Sequence, residues 1–370
     1  MMAKRFTTID PPETDAIVLV DQILKTAIER GASDVHIEPT MQGVEVRLRV
    51  DGLLEVHHEY PADVGRSLVG RLMVMAQLLT YRLDIPQEGR LRIRAGVDEI
   101  SLELRVAVMP TTHGLRAAVR MPAELIQPRR LDELGLPGLV LGALKRFASA
   151  DSGMLLVTGP AGSGKTTTIY ALLEHIARTC PGQSLVALED PVERDIPGVT
   201  QIEVSPFGNL TYERALRSIL RQDPQVLMLG EIRDAETASL AVQAALSGHR
   251  LICTLHAASP GGAIARLLEM GLEPYRVTSA LHGVIAQRLL RRLNSDASPQ
   301  RYKGRIPAAE FVPMTAAIRS AVLIGADAAE IQQIAAKEED YSSLRDSADS
   351  LVAQLLTDNA EVGRVLGAPL

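Results

Sequence analysis

The residues best suited to chemistry are Gly159, Pro160, Ala161, Gly162, Ser163, Gly164, Lys165 and Thr166. They meet the P-loop pattern G-x-x-x-x-G-K-[ST] at every fixed position. Glycines 159, 162 and 164 let the backbone fold back, so that successive N–H groups point into one nest suited to phosphate oxygens. Lys165 is placed to reach the β- and γ-phosphates of a nucleoside triphosphate. The Thr166 hydroxyl is placed to hold Mg²⁺, and Thr167 completes the binding stretch. The motif needs a strand before it and a helix after it. Met154 to Val157 is a short apolar run, and Ile169, Leu172, Leu173 and Ile176 keep helical spacing. The positive end of that helix adds to the anion site.

Transfer of a phosphoryl group to water also needs a carboxylate to orient or deprotonate the water, and often a cation on the γ-phosphate. Three more apolar runs end in polar residues: Glu189-Asp190-Pro191-Val192-Glu193, Gly230-Glu231-Ile232-Arg233-Asp234 and Thr254-Leu255-His256. Parallel sheets carry their active residues at such carboxyl ends. Glu231, delivered by the apolar run before it, fits the Walker B acid and a place in the Mg²⁺ shell. By residue type alone, Glu189, Asp190 and Glu193 equally describe a charged turn stiffened by Pro191. His256 equally describes a satisfied histidine at a strand end. Gly248-His249 reads as a helix stop, where histidine favours the dipole.

The elements that must position these residues fall into two patterns. Residues 1–14 read as a polar arm. Residues 15–122 read as a small α+β domain, with helices near 17–30 and 63–80 on antiparallel strands. These strands include 44–50, a turn at Asp51-Gly52, 91–94 and 100–108. Residues 123–137, with Pro128 and Pro137, read as a linker. From 138 to 292 apolar strands alternate with helices, which implies a mainly parallel α/β sheet covered on both faces. Residues 293–370 read as a helical region, with segments 314–324, 328–337 and 341–356.

Composition bounds the rest. A chain of 370 residues with 46% hydrophobic and 23% charged residues is ordinary for a globular protein of two or three domains. A net charge of −6 argues against a general nucleic-acid binder. Two distant cysteines, Cys180 and Cys253, form neither a disulfide framework nor a four-cysteine zinc site, and a reducing, cytoplasmic setting is expected. The N-terminus lacks a secretory signal, and no apolar run reaches the ~18 residues of a membrane span.

Several strings together resemble one family. They are Gly31-Ala-Ser-Asp-Val-His-Ile-Glu-Pro39, Arg49-Val-Asp-Gly-Leu-Leu54, Pro86-Gln-Glu-Gly-Arg90 and the P-loop. Leu188 to Glu193, Leu220-Arg-Gln-Asp-Pro-Gln225, Gly230 to Asp234 and Thr254 to His256 complete the set. In order and spacing they resemble the ATPases of type II secretion and type IV pilus assembly. The resemblance implies a cytoplasmic homohexameric motor using ATP and Mg²⁺, built from a PAS-like N-terminal domain and a RecA-like P-loop ATPase domain. It implies an inner-membrane platform protein as partner, no nucleic acid, and membrane association only through partners. It places the Walker B acid on Glu231, an aspartate box on Glu189 to Glu193 with the water-activating carboxylate at Glu193, and a histidine box on Gly248 to His256. Arg90 and Arg105 match N-terminal-domain arginines that approach the phosphates.

Two departures stand out. The chain begins too late for the further N-terminal domain of longer members. The four-cysteine zinc insert of many members is missing between Arg288 and Phe311, so no structural zinc is expected. The strings at 32–39 and 49–52 favour the assembly and secretion branch over a pilus retraction motor or a conjugation-type ATPase. The intact P-loop, Walker B acid and aspartate box disfavour a non-hydrolysing scaffold.

Overall fold

The computed structural model describes residues 15–95, 100–122, 130–204, 210–295, 301–338 and 340–367. The expected arm (1–14), residues 96–99 between the expected strands 91–94 and 100–108, and the first part of the expected linker (123–129) lie outside the described residues. The chain divides into two compact units, Met1–Ile126 and Gln127–Leu370.

The first unit is α1 (Ala16–Glu29), β1 (Asp34–Pro39), β2 (Val44–Val50), β3 (Leu53–Tyr60), α2 (Ala62–Met75), β4 (Gln87–Ala95), β5 (Ile100–Thr111) and β6 (Gly114–Arg120). The strands form one antiparallel sheet in the order β3-β2-β1-β6-β5-β4. Asp15 caps α1 through the Ile17 N–H, and Gly31, at φ 62, ends it. Asp51 and Gly52 both take positive φ, 50 and 86, as a tight hairpin turn requires. Leu102, Leu104, Val106 and Val108 alternate inward and join α1 and α2 in one apolar core. The second helix is shorter than the 63–80 its apolar spacing predicts. Gln77 turns left-handed at φ 57, and the Gln87 side chain ties down the loop that follows. Its amide accepts the Leu79 N–H at 2.8 Å and donates to the carbonyls of Leu79 and Arg82.

In the second unit, a short 3-10 turn (Leu131–Glu133) precedes α3 (Gly138–Ala148), β7 (Gly153–Thr158), α4 (Lys165–Thr179), β8 (Leu185–Glu189), β9 (Thr200–Glu203) and α5 (Tyr212–Ile219). Then come β10 (Val226–Leu229), α6 (Ala235–Leu246), β11 (Arg250–Leu255), α7 (Pro260–Glu269), α8 (Pro274–Ala280), β12 (Leu281–Leu293) and β13 (Tyr302–Pro313). Four helices close the described chain: α9 (Ala316–Leu323), α10 (Ala328–Ala335), α11 (Leu344–Ala353) and α12 (Asn359–Leu366). The sheet order is β13-β12-β7-β11-β10-β8-β9, parallel except for β13. Each central strand is buried on both faces. Met154 and Leu156 face one apolar cluster while Leu155 and Val157 face another, which explains the unbroken apolar runs.

Two expectations need correction. The region from 293 onward is not wholly helical, because β12 and β13 form a long hairpin within the sheet. Alanine and proline are poor strand markers, so Ile306-Pro307-Ala308-Ala309 conceals a strand. Proline is tolerated there because β13 lies at the sheet edge. The stretch from Arg288 to Phe311, where the family's zinc insert would fall, spans the end of β12, the hairpin connection and most of β13, with residues 296–300 outside the described set. The later part of the expected linker is not a free connector either. Leu131, Leu134 and Leu136 are buried in the second unit's core, beside α3 and α4.

Candidate functional site

Four parallel strands, in the order β7-β11-β10-β8, deliver their carboxyl ends side by side. The P-loop leaves β7, Glu189 ends β8, Glu231 follows β10 and His256 follows β11. Two hydroxyls stitch these ends together. Thr158 Oγ1 donates to the carbonyls of Leu255 and Ala257 and accepts the Ala257 N–H. Thr254 Oγ1 donates to the Gly230 carbonyl, and the Ile232 N–H reaches the Thr254 carbonyl at 2.9 Å.

Gly159, Gly162 and Gly164 have φ of 148, 74 and 87. At two of them glycine is also required by space. An added Cβ at Gly159 would lie 2.5 Å from the Gln287 carbonyl oxygen, and one at Gly164 would lie 2.7 Å from Gln287 Nε2. Lys165 Nζ donates to the carbonyls of Gly159 (2.8 Å) and Pro160 (2.9 Å). Burial lowers its pKa below the usual lysine value, while the Glu231 charge opposes that shift. No side chain caps the N-terminus of α4, and Ser163 Oγ is buried without a partner. Open helix N–H groups, an orphan hydroxyl and a lysine on its own loop's carbonyls fit a phosphate-bearing ligand.

Both carboxylate oxygens of Glu231 are engaged by cationic or potentially cationic groups. Arg233 Nε donates to Oε2 at 2.7 Å, and His256 Nε2 lies 2.9 Å from Oε1. Arg233 NH1 also reaches Asp190 Oδ2 at 3.2 Å, tying the ends of β10 and β8 together. His249 lies elsewhere. It sits at the opposite end of β11, roughly 20 Å along the strand. There its Nδ1 is 2.9 Å from the Ala244 carbonyl at the end of α6, a helix-stop role.

The aspartate-box acids divide. Glu189 is buried, accepts hydrogen bonds from Tyr170 and Gln201, and is pushed up in pKa by burial against those donors. It holds structure. Glu193 is half-buried, and its carboxylate takes no hydrogen bond or ion pair from the described residues.

Arg90 and Arg105 belong to the first unit. They face each other across β4 and β5, and Arg120 extends the row on β6. Glu103 pairs with Arg90 at 3.0 Å. The sequence alone gave no role to Arg120, Arg233, Tyr170 and Gln287. The first could have been found from the register of alternating strands. The other three are named by contacts between distant segments.

A parallel sheet with a glycine loop between β7 and α4, and acids on neighbouring strand ends, is the arrangement of P-loop nucleotide-binding proteins. The chain belongs to the type II/IV secretion system protein family, whose model matches residues 13–364. It is 36% identical over 385 aligned positions to the type IV pilus assembly ATPase PilB of Thermus thermophilus, covering 95% of this chain and 43% of that protein. It is 37% identical over 360 positions to the type II secretion system protein E of Xanthomonas campestris pv. campestris, covering 88% of this chain and 63% of that one. The chain therefore spans about half the length of these curated relatives. Among solved structures, the pilus retraction motor PilT with bound ADP matches with a TM-score of 0.67 and 28% identity, covering 94% of this chain and 96% of that chain. The ATPase DotB of Legionella pneumophila matches with a TM-score of 0.77 at 20% identity, covering 95% and 96%, a likeness of fold. Among the described residues, no helix is long and apolar enough to cross a membrane.

Proposed function

We propose that this chain is an ATP-hydrolysing motor subunit that drives assembly of a type IV pilus or a type II secretion pseudopilus. In this reading the second unit is RecA-like and the first PAS-like. The chain works as a cytoplasmic homohexamer against an inner-membrane platform protein. The observation that carries the proposal is the meeting of the P-loop, Glu231, His256 and the Glu189–Glu193 loop at one end of a parallel sheet. The family's assembly and secretion members give it direction.

Each residue then has a task. Lys165 leaves the carbonyls of Gly159 and Pro160 to neutralise the β- and γ-phosphates. The first N–H groups of α4 and the nest hold phosphate oxygens. Thr166, with Glu231 through water, would hold Mg²⁺, which supplies positive charge to the phosphates. Glu193 orients and deprotonates the attacking water. His256 and Arg233 hold the Glu231 carboxylate in place. Arg90 and Arg105, which match the family's N-terminal-domain arginines, would supply further cations to the developing charge.

Glu231→Gln tests this directly. The variant is expected to keep ATP affinity within about twofold and to lose turnover by about 10²-fold. Wild-type turnover in Glu231→Gln would remove Glu231 from the mechanism.

A further inference from the structure

Tyr170 lies five residues after Lys165 on α4 and is fully buried. A buried phenol needs partners for its hydroxyl. This one has two, both at the end of β8. Its O–H donates to Glu189 Oε2, and its oxygen accepts the backbone N–H of Glu193 at 3.1 Å. Glu189 is fixed on its other oxygen by Gln201 Nε2 at 2.8 Å. Gln201 also donates to the Arg194 carbonyl and accepts the Ile196 N–H. Arg194 then returns to α4. Its guanidinium pairs with Glu174 at 2.8 Å and stands 5.1 Å from the centre of the Tyr170 ring. The main chain at Glu193 and the side chain of the next residue are thus both tied to the helix that begins at the P-loop.

The geometry points to Tyr170 as a positioning residue that sets Glu193 against nucleotide bound at the N-terminus of α4. This rests on the proposed role of Glu193 in activating water. Burial pushes the phenol's pKa up, so the hydroxyl keeps its proton and remains a donor to Glu189 while accepting from Glu193. The ring and the hydroxyl have separable jobs. The ring fills the core and meets Arg194. The hydroxyl alone reaches the Glu193 main chain.

Tyr170→Phe keeps the ring and removes the hydroxyl. We would measure steady-state ATP turnover and ADP affinity for wild type, Tyr170→Phe, Glu193→Gln and the double variant. The expected pattern is a kcat about tenfold lower in Tyr170→Phe, the scale of one lost hydrogen bond, with KM and ADP affinity within about twofold of wild type. In the Glu193→Gln background the same change should cost nothing further, because its route to catalysis is already gone. Wild-type kcat in Tyr170→Phe overturns the inference, as do losses that multiply in the double variant or a matching loss of ADP affinity. In each case a slow Glu193→Gln leaves the ATPase reading standing. Wild-type turnover in Glu193→Gln overturns the role of Glu193 and the inference with it. If Tyr170→Phe does not fold, Gln201→Met loosens the same loop from its other side. It should lower kcat without changing ADP affinity, and an unchanged kcat there overturns the inference.

Discussion

Gln287, on β12, is the side chain on which the phosphate loop most directly leans. The residue is 2% exposed. Nε2 donates to the Ser163 carbonyl at 2.8 Å, and Oε1 accepts from Thr168 Oγ1 at 2.8 Å. Gln287→Leu nearly conserves volume and removes both bonds. The Thr168 hydroxyl can turn to the Gly164 carbonyl one helical turn back, so its loss is small. The Ser163 carbonyl accepts no other hydrogen bond among the described residues, and orphaning a buried carbonyl costs about 1–3 kcal/mol. That carbonyl belongs to the same rigid peptide plane as the Gly164 N–H and points the opposite way. Freeing the carbonyl therefore frees the aim of an N–H in the phosphate nest. Expressed in binding, the cost is about 5- to 150-fold in nucleotide Kd. Titration calorimetry with ADP measures it, and thermal melting measures the fold. Affinity within twofold of wild type refutes the reasoning. So does a large fall in melting temperature with unchanged affinity, because the brace would then serve the core and not the loop.

Two further outcomes concern the scaffold. An added Cβ at Gly65 on α2 would lie 2.0 Å from Val44 Cγ2 and 2.6 Å from Val44 Cβ. Gly65→Ala should therefore destabilise the first unit by about 1–3 kcal/mol, against the usual gain of alanine over glycine in a helix, and calorimetry of the melting transition would read it. A higher melting temperature would contradict the packing argument. Glu361, at the start of α12, has a fully buried side chain. Burial alone would raise its pKa, but hydrogen bonds from Arg364 and Arg291 bring it down to about 2 from an ordinary value near 4.5. A carboxyl depressed on folding adds stability that is present above its unfolded pKa and lost as pH falls through about 2. Wild type should lose melting temperature from about pH 4.5 downward more steeply than Glu361→Gln. Parallel acid limbs would show that this carboxylate does not link folding to pH.

What could be read in the sequence is what local periodicity and fixed spacing encode. The apolar run before Gly159 and the helical spacing after Lys165 specify their elements without help from the rest of the chain. So do the alternation at Leu102–Val108 and the Asp51-Gly52 turn. The end of α2 was not legible. It depends on Gln87, eight residues beyond Leu79, whose amide closes the loop better than continued helix would. Strand β13 was not legible either, because its alanines and proline are chosen by position at the sheet edge beside β12. Residue type announced Lys165, Thr166 and Glu231. The same acidic cluster holds Glu189 and Glu193, and only burial separates the one sealed by Tyr170 and Gln201 from the one left available.

That separation bears on how the site is built. The P-loop is held by Gln287 from β12, the Glu193 loop by Tyr170 from α4, and the Glu231 turn by Arg233 against Asp190. Each brace spans a gap that sequence spacing cannot show, 124 residues from Ser163 to Gln287 and 43 from Asp190 to Arg233. Each also meets its target at a backbone group or a single carboxylate oxygen. Substituting a brace should therefore shift geometry more than charge. Losses confined to kcat for Tyr170, and to nucleotide affinity for Gln287, would separate the alignment of water from the cradling of phosphate at the carboxyl ends of one sheet. Equal losses in both quantities for both residues would mean that the two loops move as one body.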